Sequence, residues 1–164
     1  EFKTSETTDE DESDNYFPNQ FTMAVGVLPT AADRPPGPAL KFGGGLLYAR
    51  NLTPGIAVEG GFFYYKASGE DKSTGNTVTT TMIPVVGTLR FQRHFGELWT
   101  GYLYGGLVYP WVSSSIGASA RLLQQIQVLR PAVGIGTFLQ TGPNWYLRMN
   151  LGYDAISVGV SLRY

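Results

Sequence analysis

The stretch Ile156-Ser157-Val158-Gly159-Val160-Ser161-Leu162-Arg163-Tyr164 decides the fold. Ile156, Val158, Val160, Leu162 and Tyr164 alternate with Ser157, Gly159, Ser161 and Arg163. Side chains of an extended chain project to opposite faces at each step, so this period of two describes a strand with one apolar and one polar face. The preceding segment repeats the pattern. Trp145, Leu147, Met149, Leu151 and Tyr153 share one face, and Tyr146, Arg148, Asn150, Gly152 and Asp154 the other. A tight turn at Asp154-Ala155 would pair Tyr153 with Ile156 and keep both apolar faces on one side.

Moving toward the N-terminus, the same alternation recurs. Val133, Ile135, Thr137 and Leu139 oppose Arg130, Ala132, Gly134 and Gly136; Ile83, Val85, Leu89 and Phe91 oppose Thr88, Arg90 and Gln92. Ile56, Val58, Phe62 and Tyr64 oppose Glu59 and Gly61; Leu40, Phe42, Leu46 and Tyr48 oppose Lys41, Gly43 and Gly45; Phe21, Met23, Val25 and Val27 oppose Gln20, Thr22, Ala24 and Gly26. Residues 99–111 are so rich in Tyr and Gly that either face could be apolar. No 3.6-residue period stands out, although residues 121–128 could form a helical turn. The expectation is therefore all-β: an eight-stranded antiparallel up-and-down transmembrane β-barrel over residues 19–164. Residues 29–37, 66–77 and 112–124 form long connections, and residues 50–54, 92–97 and 140–144 short ones, an alternation typical of membrane barrels. Pro84, Pro110 and Pro131 fall inside projected strands, where a paired ladder disfavours them.

Composition agrees. Only 15% of residues are charged while 13% are aromatic, a balance that an ordinary soluble domain does not need. The mean hydropathy of −0.07 does not argue against a membrane, because alternating strands average out. The absence of cysteine excludes a disulfide framework and a cysteine-based metal site. The sequence shows no signal peptide and residue 1 is Glu, not Met, so it is expected to be a processed or recombinant form. Residues 1–18 hold Glu1, Glu6, Asp9, Glu10, Asp11, Glu12 and Asp14 against Lys3 alone, which leaves eleven bases and six acids in the remainder, a net +5. The start is expected to be an acidic flexible N-terminal tail.

Two features turn the apolar face outward. The polar face mixes Lys41, Glu59, Arg90, Arg130, Arg148, Asp154 and Arg163 with glycines, as suits a narrow lumen in which ions pair. Trp145, Tyr153 and Tyr164 bracket the aliphatic residues, as suits membrane-interface aromatics. The C-terminal segment then resembles the β-signal of outer-membrane proteins, polar-x-Gly-x-x-hydrophobic-x-aromatic, with Ser157, Gly159, Leu162 and Tyr164 at its defined positions. In size and strand count the chain resembles small outer-membrane barrels of the OmpA membrane domain, OmpX and opacity-protein class. The resemblance implies a bacterial outer-membrane location, contact with outer-membrane lipids and recognition by the barrel-assembly machinery.

Function is less legible. The basic lumen face implies either an ion-pair network filling the interior or a narrow anion path, or a site for the acidic tail. His94, the only histidine, falls in a projected short periplasmic turn, on the rim opposite the outer leaflet, where lipid-modifying chemistry would need a histidine with an activating carboxylate and a nucleophile nearby. Gly43-Gly44-Gly45 and Ser113-Ser114-Ser115 lack a phosphate-loop context. Lys66 to Lys72 lacks the acid spacing of a calcium loop. No metal, cofactor or nucleic acid is expected. The leading expectation is a non-enzymatic structural protein, one that contacts a surface or a periplasmic or surface protein partner, or a subunit of an envelope assembly. The alternatives are a narrow channel or transporter for small solutes or small hydrophobic molecules, and an outer-membrane lipid-modifying enzyme using His94. A soluble barrel with its apolar face inward is the competing architecture.

Overall fold

A computed structural model describes residues 18–28, 42–70, 75–115 and 127–164. Lys41 and all of the acidic tail before Pro18 lie outside the described residues, as does most of the segment 121–128. The described strands are β1 (Asn19–Val27), β2 (Gly43–Thr53), β3 (Ile56–Glu70), β4 (Thr77–Phe95), β5 (Trp99–Ser114), β6 (Arg130–Gln140), β7 (Trp145–Gly152) and β8 (Ile156–Arg163). They pair antiparallel in chain order and close into a barrel. The closing seam runs from Val27 opposite Ile156 to Gln20 opposite Arg163. It is extended by reciprocal backbone bonds between Asn19 and Tyr164 at 3.1 and 3.0 Å. Closure leaves no free edge in the paired belt, which a lipid environment requires because it offers no water to unpaired amides.

The faces follow the alternation. Met23, Val25, Leu103, Ile135, Leu151 and Val160 are exposed on the outside, whereas Thr22, Ala24, Tyr102, Ala132 and Ser161 are buried inside. β5, whose sequence left its faces open, puts Trp99, Leu103, Leu107, Tyr109 and Trp111 outward and Thr100, Tyr102 and Val112 inward. The exterior is a band of aliphatic residues between two aromatic rings. Phe21, Tyr48, Phe91, Trp99, Trp145 and Tyr164 lie toward the end carrying both termini and the short turns; Phe42, Tyr64, Tyr109, Trp111 and Tyr153 lie toward the loop end. A water-soluble protein does not expose a continuous apolar belt of this kind, so the architecture with the apolar face inward is excluded.

The structure departs from the sequence reading in three places. Residues 66–77 are not a loop throughout: β3 continues to Glu70 and β4 resumes at Thr77, paired as Lys66 with Thr81 and Glu70 with Thr77. Beyond Tyr64 and Trp111 the outward positions become Lys66, Ser68, Glu70, Thr77, Thr79, Thr81 and Ser113. β3, β4 and β5 thus rise past the apolar band as a polar three-stranded extension. The last hairpin turns at Tyr153-Asp154, not Asp154-Ala155: Leu151 faces Ile156, and Gly152 N donates to Ala155 O at 3.0 Å. The shift is by two residues, so both faces keep their sides. Finally, β4 continues through His94 to Phe95 and turns only at Gly96, whose φ of 77° suits a residue without Cβ.

Pro84 is accommodated without a register shift. It faces Pro110 across β4 and β5. Two residues lacking N–H can face each other only in a non-hydrogen-bonded pair, so each missing donor points to the opposite neighbour. There the β3–β4 ladder lapses between Phe62–Val85 and Tyr65–Met82, and the β5–β6 ladder has already ended at Val108–Arg130.

Candidate functional site

The interior is layered. Toward the loop end it is apolar: Ala24, Leu47, Phe63, Tyr65, Met82 and Val112 form one buried cluster. The rings of Phe63 and Tyr65 lie across Gly45 and Gly43 of β2; a Cβ at Gly45 would sit 2.5 Å from Phe63 Cδ1 and 2.7 Å from the Phe62 carbonyl oxygen. The glycines of β2 are therefore sockets for rings of β3. Sequence reading placed Phe62 and Tyr64 outside correctly but missed Phe63 and Tyr65, because four consecutive aromatics hide the alternation.

Toward the turn end the interior is charged and aromatic. Glu59 of β3 sits at its centre. Arg148 of β7 grips the carboxylate with both terminal nitrogens, Nη1 to Oε2 at 2.6 Å and Nη2 to Oε1 at 2.7 Å. Arg90 of β4 donates Nη1 to the same Oε2 at 2.7 Å and Nη2 to Gln20 Oε1 at 2.8 Å. Gln20 continues to Thr22 at 3.3 Å, and Thr22 to Ser161 at 2.7 Å. Arg148 Nε also donates to Tyr102 Oη at 2.9 Å. Asn150 completes this corner, its oxygen toward Arg148 and Ser157 and its nitrogen toward Tyr102 Oη. Glu59, Arg90 and Arg148 are all buried. Two guanidiniums on one carboxylate, held by fork-like charge-assisted bonds, offset the large desolvation penalty of placing charge here.

Phe138 of β6 organises the cations. The guanidinium carbons of Arg90 and Arg163 lie 4.9 Å from its ring centre, and that of Arg148 5.5 Å. Arg163 also covers Tyr146 at 4.1 Å. Tyr102 packs on Phe138 at 4.8 Å and Tyr146 meets it edge-on at 6.4 Å. Cation–π contact spreads the positive charge over ring faces, but Arg90, Arg148 and Arg163 still outnumber Glu59.

Of the predicted lumen residues, Glu59, Arg90 and Arg148 come together directly, and Arg163 joins them through Phe138. Asp154 does not: it sits in the β7–β8 turn and accepts from Tyr104 Oη at 2.8 Å. Burial there lifts its carboxyl above the usual range, partly opposed by Tyr104 and by backbone amides of the turn. Arg130 does not either; it opens β6 opposite Val108, at the far end of that strand from Phe138. Gln20, Tyr102, Phe138 and Asn150 were missed. For Gln20, Phe138 and Asn150 the signal was positional, since each shares the inward parity of its strand; Tyr102 lies in β5, whose sequence left its faces open. His94 Nδ1 lies 2.8 Å from Thr100 Oγ1, and no cluster of three metal-ligating side chains occurs among the described residues.

On the outside, Met23, Val25, Gly44, Leu46, Val158 and Val160 help line an apolar hollow of about 580 Å³. It lies in the band of exposed aliphatic residues, where bilayer chains would contact it.

No family model matches the chain, and no curated protein matches it. Solved structures do. Neisserial surface protein A (NspA) is similar at 12% identity and TM-score 0.56, covering 89% of this chain and 96% of its own. Ail, the attachment invasion locus protein of Yersinia pestis, in complex with the heparin analogue sucrose octasulfate, is similar at 14% identity and TM-score 0.52, covering 90% of this chain and 100% of its own. At such identities the likeness is one of fold. Together with the apolar, aromatic-ringed exterior it defines the class: the protein is a small eight-stranded β-barrel of the bacterial outer membrane. In such barrels short turns face the periplasm and longer loops the outside, so the Glu59 cluster lies in the periplasmic half.

Proposed function

We propose that this barrel is a closed, non-enzymatic anchor that presents its outer end to a surface or to a protein partner. One observation carries the reading: the interior is filled with side chains. Gln20, Thr22, Arg90, Phe138 and Ser161 in the periplasmic half, and Tyr65, Thr80 and Pro110 in the outer half, are all less than 2% exposed, which supports an interior packed against itself. An eight-stranded barrel has room for little besides its own side chains. Above the charged layer lies the apolar cluster around Phe63, Tyr65 and Met82, which an ion would cross without hydration or a partner.

Among the described residues, what remains available for recognition is the extension of β3, β4 and β5. Its outward face is made of hydroxyls, with Lys66 and Glu70 offsetting each other. That chemistry favours a neutral, hydrogen-bonding partner over a polyanionic sugar of the kind bound to Ail. Planar-bilayer recording of the purified full chain tests the closed lumen. No unitary current is expected at either polarity. Steady ohmic steps abolished by plugging substitutions at Thr88 or Ser161 would replace this reading with a narrow channel.

A further inference from the structure

Outside the polar extension, the outward face of the described barrel carries little charge, and what it carries is placed unevenly. On the periplasmic rim two arginines point outward. Arg50 of β2 follows Tyr48 on the same face, Arg93 of β4 follows Phe91, and both arginines are exposed. Each stands one outward position beyond a residue of the aromatic ring, a step of roughly 7 Å along a strand. The headgroup layer beyond the hydrocarbon is roughly 5–7 Å deep on each side of a bilayer, so these guanidiniums belong at the level of lipid phosphates. Elsewhere this rim presents the uncharged side chains of Phe21, Trp99, Trp145 and Tyr164.

No ion pair between described residues involves Arg50 or Arg93: Glu59 holds Arg90 and Arg148 inside the lumen. Glu97 lies in the β4–β5 turn beyond Phe95, farther from the ring than Arg93. Apolar side chains adjoin both cations on the outer face. Val58 faces Arg50 across β2 and β3, and Ile56 faces Phe91 and Val58 faces Leu89 across β3 and β4. A partner that satisfies this sector therefore joins an anion to hydrocarbon, which a free anion does not. We propose that the β2–β4 sector of the periplasmic rim is a docking face for anionic phospholipids of the inner leaflet, with Arg50 and Arg93 on their phosphates and the acyl chains along Val58, Leu89 and Phe91. Arginine suits the role. Its planar fork engages two phosphate oxygens at once, and its stem covers apolar surface while the head reaches the polar layer. The contact sets the depth of the inner end and gives the barrel one lipid-selective side.

The test is tryptophan quenching by brominated lipid, with the full chain folded into phosphatidylcholine vesicles that contain brominated phosphatidylglycerol. Two single-tryptophan reporters are compared. One carries Phe91→Trp with Trp99→Phe, Trp111→Phe and Trp145→Phe; the other keeps Trp145, across the same rim, with Trp99→Phe and Trp111→Phe. An arginine near a membrane surface favours an anionic lipid by about 1 kcal/mol, or about fivefold. Quenching at the Phe91→Trp reporter should therefore show about a fivefold preference for phosphatidylglycerol over phosphatidylcholine, and quenching at Trp145 close to none. Arg50→Gln with Arg93→Gln should abolish the preference, and Arg50→Lys with Arg93→Lys should retain most of it; the gel-mobility shift on heating verifies that each variant is folded. Inorganic phosphate added at constant ionic strength should leave the preference in place. Equal preference at the two reporters, a preference undiminished in the double Gln variant, or its loss to inorganic phosphate, the mark of a soluble-anion site, overturns the proposal.

Discussion

Replacing Glu59 by Gln tests the energetics of the lumen. The substitution keeps the shape but removes the charge that receives three guanidinium bonds, two from Arg148 and one from Arg90. Each charge-assisted bond contributes about 1.5–3 kcal/mol. The dominant effect, however, is the pair of cations left behind in a layer where Arg163 is already positive. Removing one partner of a buried pair costs about 3–5 kcal/mol. Because Phe138 and Tyr102 take up part of the stranded charge, about 4 kcal/mol is expected. The assay is reversible urea unfolding in lipid vesicles, followed by tryptophan fluorescence and by the gel-mobility shift between folded and boiled protein. Adding Arg148→Met to Glu59→Gln should recover more than about 1 kcal/mol, since the double variant buries one cation fewer. A Glu59→Gln loss below about 1 kcal/mol, or a double variant less stable than the single one by the full Arg148→Met effect, would refute the view that this cluster is a desolvated, tightly coupled unit.

Leu103→Arg, in the middle of the exterior band, should destabilise the folded barrel by about 2–4 kcal/mol in vesicles, whereas Trp99→Arg at the aromatic ring should cost about 1 kcal/mol or less; equal effects would contradict the placement of the band. Gly45→Val should reduce folding yield because its side chain would meet Phe63, and Gly45→Val with Phe63→Ala should restore part of it, measured as the fraction of heat-modifiable protein. Asp154 binds its proton more tightly when folded, so its contribution to stability is greatest at low pH and declines as pH rises from the ordinary carboxyl range through the raised value. Asp154→Asn should flatten that slope in urea midpoints measured from pH 3 to 7. Tyr164→Ala should lower the amount of assembled barrel in cell envelopes while leaving refolding of purified protein nearly unchanged, if the terminal segment is read by assembly machinery.

Much of the exterior was legible because the bilayer imposes it. Wherever a strand crosses lipid, every second residue must be apolar, so β1, β7 and β8 announce both their length and their faces. Where that pressure stops, the signal stops: Lys66 to Glu70 and Thr77 to Thr81 continue the sheet with polar residues on the outer face, and no period marks them as strands. The interior was less legible for a different reason. Inward parity identified Glu59, Arg90, Arg148 and Arg163 as neighbours of one cavity, but not which acid would meet which base. Glu59 and Arg148 lie 89 residues apart and meet only because closure brings β3 and β7 across the lumen. Phe138 follows Ala132, Gly134 and Gly136 on the inward face of β6; one large ring after a run of small inward residues marks the place where the cations gather, a cue that strand-by-strand reading does not use.

The direction of the faces is the claim on which the rest depends. Single cysteines at Ser157, Val158, Val160 and Ser161, spin-labelled in the reconstituted full chain, report it residue by residue through collision with dissolved oxygen and with a water-soluble nickel complex. Labels at Val158 and Val160 should collide freely with oxygen and scarcely with nickel, as lipid-facing sites do, while labels at Ser157 and Ser161 should be shielded from both. Nickel collisions dominating at Val158 and Val160, or oxygen collisions dominating at Ser157 and Ser161, would contradict a barrel whose apolar face looks out into the membrane.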